Sequence, residues 1–239
     1  MRAVRFLSAS LLVVVAPFTS YGQDPPAARP PAGADAAASE AAARSDAELA
    51  KKAGEWAASL GLGDPDREAR VKDVIATHLK AVRDWHNTHP FTTVPAGINP
   101  ATGARLSNLD RQVIADSAIP ADVHEALMDG LRKDLAPEQV EAILDRYTIG
   151  KVAFTMKGYH AIAPDLTPDE EAGILAFLEQ AREQAVDYKS MNEISAIFEI
   201  YKTKSEQLLN ANGRNWKALY KAYTDAVKAR KAAASQPRR

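Results

Sequence analysis

The sequence contains no cysteine. Disulfides, thiolate catalysis and cysteine-bound metals are therefore excluded, and stability must come from an apolar core. Aromatic residues are scarce, at 7% of a chain that is 46% apolar. That balance suits alanine- and leucine-rich helices better than sheets, which favour aromatic and β-branched residues. No segment alternates apolar and polar residues as a half-buried strand would. Neither sign of charge dominates, with 30 basic and 31 acidic residues, so the chain lacks the basic footprint of a nucleic-acid binder. No apolar run reaches the roughly 20 residues that a membrane span needs. GxSxG, a Walker phosphate loop, HExxH and GxGxxG are all missing, which removes the common hydrolase, nucleotide-binding and zinc-protease signatures.

What is present begins with an export pattern. Arg2 and Arg5 form a basic end, 6–15 an apolar stretch, and Ser20 and Gly22 fit small-residue cleavage positions. Residues 1–22 are thus expected to be a signal peptide, and the protein to be periplasmic or extracellular. Cleavage removes two basic residues and no acidic one, leaving 28 against 31 and a net charge of −3. Residues 23–45 are rich in alanine and proline with almost no large apolar residue, and are expected to be a disordered tether. A helical domain is expected over 46–228 and a basic frayed tail over 229–239. The fold class is read as all-α, a single bundle of about six to eight helices.

The chain is organised around two matching helix starts, LAPEQVEAIL from Leu135 and LTPDEEAGIL from Leu166. In the second, Thr167 is placed as N-cap, Pro168 as first helical residue, and Glu170 completes a capping box. In the first, Ala136 offers no acceptor, which weakens that start by about 1 kcal/mol. Leu135 is expected to compensate by packing on Val140. Helical stripes follow: Val140, Ile143, Leu144 and Tyr147; Ile174, Leu178, Ala181 and Ala185; Ile194, Ile197, Phe198, Tyr201 and Leu208. Between the first two lies KVAFTMKGYHAIAP, read as a short buried helix. Earlier helices are expected at 46–60, and from Asp64–Pro65 to about His89 with Val71, Ile75, His78, Val82 and Trp85 inward. A long irregular stretch is expected at 91–105, a weak helix at 107–117, and another opening at Pro120. A last helix is expected to start near Asn215.

LAPEQVEAILDRYTIG, FTMKGYHAIAPDLTPDEEAGILAFLEQAREQAVD and IYKTKSEQLLNANG, with AVRDWHN from Ala81, resemble an uncharacterised secreted bacterial family, a domain of unknown function numbered three-eight-two-six. The resemblance covers roughly 47–223 and is weaker over 91–120, where a proline- and glycine-rich loop replaces an expected longer charged helix. It implies a helical, exported protein in the company of polysaccharide-degrading systems of Gram-negative bacteria. It carries over no catalytic residue. LTPDE and LAPEQ also resemble the LTxxQ repeats of small periplasmic stress chaperones, with Leu135 and Gln139 matching the first and last positions.

Candidate chemistry gathers on histidines and tyrosines. His78 and His86 are two turns apart on one helix, about 12 Å along the axis, too far for one metal. Asp84, His86 and His89 lack the i, i+4 pairing of helical metal sites, so no metal and no cofactor is expected. His86, Tyr147 and His160 are the catalytic candidates, a proton-transfer set if they share a cleft. Asp84, Lys151 and Tyr159 are the ligand-binding candidates beside them. The competing reading makes the tyrosines core residues and His160 a satisfied core histidine. The leading functional expectation is a ligand- or partner-binding accessory in polysaccharide use, taking an oligosaccharide or a protein. The alternatives are a carbohydrate-active lyase or hydrolase and a periplasmic chaperone. No nucleic acid and no membrane span is expected after signal removal, and the sequence sets no oligomeric state.

Overall fold

The computed structural model describes residues 32–100 and 102–234, with side chains from residue 36. The expected signal peptide, the first part of the tether and the last five residues lie outside the described residues. Among the described residues the chain forms nine α-helices and one 3-10 turn at Phe91–Thr93, with no strand. The all-α expectation holds, with more helices than the six to eight read from the sequence. No described helix is long and apolar enough to cross a membrane. The chain divides at residue 41 into a short leading unit and a compact unit of 42–239. The buried residues all belong to the compact unit.

Helix α1 (Ala32–Ala58) begins well before the expected start near Asp46, inside the stretch read as a tether. Alanine is the strongest helix former, so an alanine-rich run extends a helix with little tertiary support. Its described side chains up to Ala43 are exposed, and only Ala53 and Ala57 are fully covered. Helix α2 (Pro65–Thr88) starts as expected, with Asp64 accepting from the amides of Asp66 and Arg67. Residues 94–106 fold back on themselves through an isolated Ile98–Arg105 bridge and are pinned where Arg111 donates to Val94 O. The weak helix at 107–117 is real: α3 (Asn108–Asp116) has a capping box between Ser107 and Asp110. Helices α4 (Ala121–Asp134) and α5 (Pro137–Thr148) follow. The α5 start is half a box, in which Gln139 Oε1 accepts the Ala136 amide at 3.1 Å while the alanine has nothing to return. It ends on two consecutive left-handed residues, Ile149 at φ 53° and Gly150 at φ 63°.

Helix α6 (Lys151–Ile162) corrects the expectation of a buried segment. Only Val152 and Tyr159 are buried, and Phe154 is 78% exposed. Val152, Met156, Tyr159 and Ile162 form one stripe against the second core, while Phe154 lies off it, so the helix covers the core with one face only. Helices α7 (Pro168–Ala185), α8 (Met191–Ala211) and α9 (Trp216–Ala234) complete the chain. The α7 box forms as read: the Thr167 amide donates to Glu170 Oε2 at 2.9 Å, and the Glu170 amide to Thr167 Oγ1 at 3.3 Å.

Two apolar cores result. One joins α1, α2, α4 and α5 around Ile75, Leu131 and Ile143. The other joins α6 to α9 around Ile174, Leu178, Ile197 and Leu209. Leu135 and Val140 share the first core, consistent with the expected staple. Helix α7 packs on both α5 and α8 and so ties the halves together. Two glycines permit close approach. A Cβ on Gly173 would stand 2.6 Å from Leu208 Cδ2, a movable tip. A Cβ on Gly130 of α4 would stand 2.7 and 2.8 Å from both methyls of Val74 on α2. Valine in a helix has one favoured rotamer and cannot swing clear.

Gly130→Ala is therefore expected to destabilise the protein. Overpacking of about 1–3 kcal/mol outweighs the ~1 kcal/mol gain in helix propensity. A calorimetric melt should show a midpoint lowered by about 2–4 °C per kcal/mol of net loss, and Gly173→Ala a smaller change. A second test concerns Glu170, held at about 2 by hydrogen bonds from Arg214 and the Thr167 amide, against a usual value of 4.5. Its depressed value adds stability fully present above pH 4.5 and lost as pH falls towards 2. Glu170→Gln should flatten that acid limb in urea titrations at pH 2 to 5, and an unchanged limb would place the acid sensitivity elsewhere.

Candidate functional site

Helix α2 presents two histidines to the seam between the cores, and each meets a carboxylate from elsewhere in the chain. His78 is 3% exposed. Its Nε2 stands 3.0 Å from Asp187 Oδ1, and its Nδ1 3.1 Å from the Tyr147 hydroxyl. With Nε2–H donating to the carboxylate, Nδ1 accepts a hydrogen bond from the tyrosine hydroxyl. Asp187 follows the end of α7 and is shared: its Oδ2 accepts from His124 Nδ1 on α4 at 2.9 Å. His124 Nε2 in turn faces Glu183 at 3.7 Å. The result is a line of groups, Tyr147–His78–Asp187–His124, running from a buried hydroxyl to a quarter-exposed imidazole.

The electrostatics follow from burial and pairing. Burial raises the Asp187 carboxyl, but hydrogen bonds from His124 and His78 outweigh it, so its value is lowered from 3.8. The Asp187 hydrogen bond raises His124 above 6.5 despite burial. Burial, with the nearby Asp187 charge, holds the Tyr147 hydroxyl protonated far above its usual range.

The second cluster surrounds His86. Its Nδ1 lies 2.8 Å from Asp116 Oδ2 and 3.7 Å from Glu193 Oε1. Asp116 is the last residue of α3, and Glu193 is the third residue of α8, where it closes a capping box with Ser190. Gln112 Nε2 donates to Asp116 Oδ1 and to His89 O, each at 3.0 Å. Both carboxylates are buried, while the His86 ring is 21% exposed.

The expected site residues are dispersed among these arrangements. Tyr147 bonds to His78, two turns along α2 from His86. His160 is exposed and faces Glu171 at 3.3 Å, so it is not a core histidine. Asp84 is exposed and accepts from Arg83 beside it. Tyr159 is buried in the second core, donates to Lys202 O at 3.2 Å and lies against Trp216. Lys151 sits over the Phe198 ring, 5.8 Å from its centre, and the left-handed break at Ile149 and Gly150 interrupts its helical register with Tyr147. Of the six residues, none forms a described contact with another. The residues that sequence reasoning missed are Asp116, His124, Asp187 and Glu193. His124 was visible as a histidine on an amphipathic helix. The others read as ordinary helix-end acids, and nothing in their local pattern marks a partner 30 to 109 residues away.

Open concavities lie elsewhere on the surface, one of them reaching the first cluster. One, of about 750 Å³, runs along α8 beside the α3 start. Leu109 and Ile200 give it apolar surface, and Thr102, Asn192, Ser195 and Gln207 give it hydroxyl and amide edges. A smaller one of about 440 Å³ lies between α2 and α4, with His78 and Asp122 in its wall.

A family model described as "Protein of unknown function (DUF3826)" matches residues 46–229. No curated protein matches the chain.

Asp187→Asn should cost on the order of 2–3 kcal/mol, because it weakens two part-buried bonds to histidine at once. The pH dependence carries a signature. The raised His124 contributes stability below pH 6.5 that is lost as pH rises through its folded value. The lowered Asp187 contributes above pH 3.8 and fades as pH falls. Urea midpoints should therefore peak between these limits, and the peak should shrink in Asp187→Asn and His124→Ala. Profiles that remain parallel to the unsubstituted protein would separate stability from this network.

Proposed function

This chain belongs to the DUF3826 family, proteins of unknown function, and on that premise we propose that it is an exported, helical binding accessory that takes an oligosaccharide in polysaccharide use. The observation that carries the reading is the groove along α8. Its volume of about 750 Å³ falls in the range of small-molecule sites. Leu109 and Ile200 are 39% and 49% exposed there, apolar surface suited to the flat face of a sugar ring. The flanking hydroxyls and amides of Thr102, Asn192, Ser195 and Gln207 suit its hydroxyl edges. The basic, apolar and small-residue pattern of 1–22 supports the export part of this reading.

A second reading, a carbohydrate-active lyase or hydrolase, is favoured by one observation. His124 is partly exposed and backed by the half-buried Asp187, the arrangement of an oriented general acid or base. The two readings separate by mutation. In the binding reading, Ile200→Asp and Leu109→Asp abolish retention on polysaccharide in affinity electrophoresis. Surface changes of this kind should leave stability within about 0.5 kcal/mol, and His124→Ala should leave binding intact. Retention by no polysaccharide in a broad plant and microbial panel, or binding indifferent to both groove substitutions, overturns it. Product release from a polysaccharide that disappears in His124→Ala favours the enzyme.

A further inference from the structure

The groove leaves the cluster around His86 without a task, and its composition is costly for an interior. Two carboxylates, with side chains 2% and 5% exposed, face one imidazole. Each has one oxygen already engaged: Asp116 Oδ1 by Gln112 at 3.0 Å, and Glu193 Oε2 by the Ser190 amide at 3.0 Å. The remaining atoms, Asp116 Oδ2, Glu193 Oε1 and His86 Nδ1, converge within 4.8 Å of one another. Among the described residues Glu193 Oε1 receives no hydrogen bond, because His86 Nδ1 stands 3.7 Å away, beyond bonding reach. The lone pairs of Glu193 Oε1 therefore face the cluster without a donor from the protein and stay available to a cation. Even a protonated His86 leaves the group with a net negative charge. Asp116 adds to the deficit, since it ends α3 where the helix dipole is negative. Among the described residues, neither carboxylate pairs with a lysine or arginine in this cluster.

We propose that this cluster binds one divalent transition-metal cation, of the zinc or manganese kind, through His86 Nδ1, Asp116 Oδ2 and Glu193 Oε1. The geometry suits it. Donors 2.8 and 3.7 Å from the imidazole nitrogen bracket the roughly 3.0–3.4 Å that separates neighbouring ligands about a cation ~2.1 Å from each, so small side-chain shifts would seat one. An imidazole with two carboxylates favours zinc or manganese over magnesium or calcium, which prefer all-oxygen sets. Gln112 and the Ser190 amide hold the two carboxylates in orientation, as outer partners do in metal sites. The partly exposed edge of His86 gives a route in and room for water on the open side. The cation takes the Nδ1 lone pair in place of the hydrogen bond with Asp116, and the ring carries its proton on Nε2. Spacing along α2 spoke against a metal because the histidines there are poorly placed for one another. The carboxylate ligands instead come from α3 and α8.

The test is a titration of the full, untagged protein, stripped with chelator and exchanged into metal-free buffer, with zinc, manganese and cobalt chlorides. Calorimetry should show one equivalent bound, and cobalt should bring visible absorption. His86→Gln and Glu193→Gln should each weaken zinc at least about tenfold. The second keeps a carbonyl oxygen for the α8 cap and so guards against a folding artefact, which circular dichroism checks. His124→Ala, in the other cluster, should bind as the unsubstituted protein does. Failure of all three cations to bind saturably overturns the site. So does zinc affinity unchanged in both His86→Gln and Glu193→Gln, or binding lost only in His124→Ala. None of these outcomes depends on a polysaccharide, so the metal site and the groove stand or fall separately.

Discussion

A single carboxylate holds three helices at the junction of two cores. Val186 packs in the first core and Tyr188 in the second, and Asp187 lies between them in sequence and in space. An apolar residue there could join one core but could not bridge to both. The aspartate instead accepts from His78 on α2 and His124 on α4, and through His78 it orders Tyr147 on α5. Hydrogen bonds are directional where dispersion is not. This junction therefore fixes the orientation of α2, α4 and α5 about the end of α7, while the leucines and isoleucines around it supply the bulk of the burial. A buried charge without its partners is severely destabilising, so the same network that orients the helices also forbids loose alternatives.

Local physics was legible from the sequence and remote physics was not. Each capping box reads from four adjacent residues, and Ser107, Thr167 and Ser190 all start helices with an acid three places on. The stripe of Ile174, Leu178, Ala181 and Ala185 is fully covered because helical spacing alone brings those residues to one side. Segment α6 defeated the same logic. Apolar composition suggested burial, yet only the face of Val152, Met156, Tyr159 and Ile162 turns inward, and Phe154, off that face, points out. The tether shows the converse, since an alanine run needs no core to be helical, and α1 begins at Ala32.

The candidate site was the least legible part. Tyr147 and His86 were singled out by residue type, and both do sit in polar clusters, but in different ones. Sequence places a histidine on a helix face without saying which helix will face it. That choice is made by packing between α2, α3, α4 and α8, and the acids that answer the histidines are ordinary until the chain folds. Asp187 lies 109 residues from His78, and no local pattern encodes that meeting.

The capping glutamates carry a burden that their position hides. Glu170 closes the α7 start and also receives Arg214 from the approach to α9; Glu193 closes the α8 start and also faces His86. A residue with one occupation drifts freely among substitutes that perform it, and glutamine caps a helix nearly as well as glutamate. A residue with two occupations drifts only among substitutes that perform both. At these two helix starts, glutamine would preserve secondary structure while discarding the charge that joins distant parts of the chain. Divergence here would therefore leave the architecture intact and erase the long-range coupling first, so that descendants of this fold could look alike and no longer do the same thing.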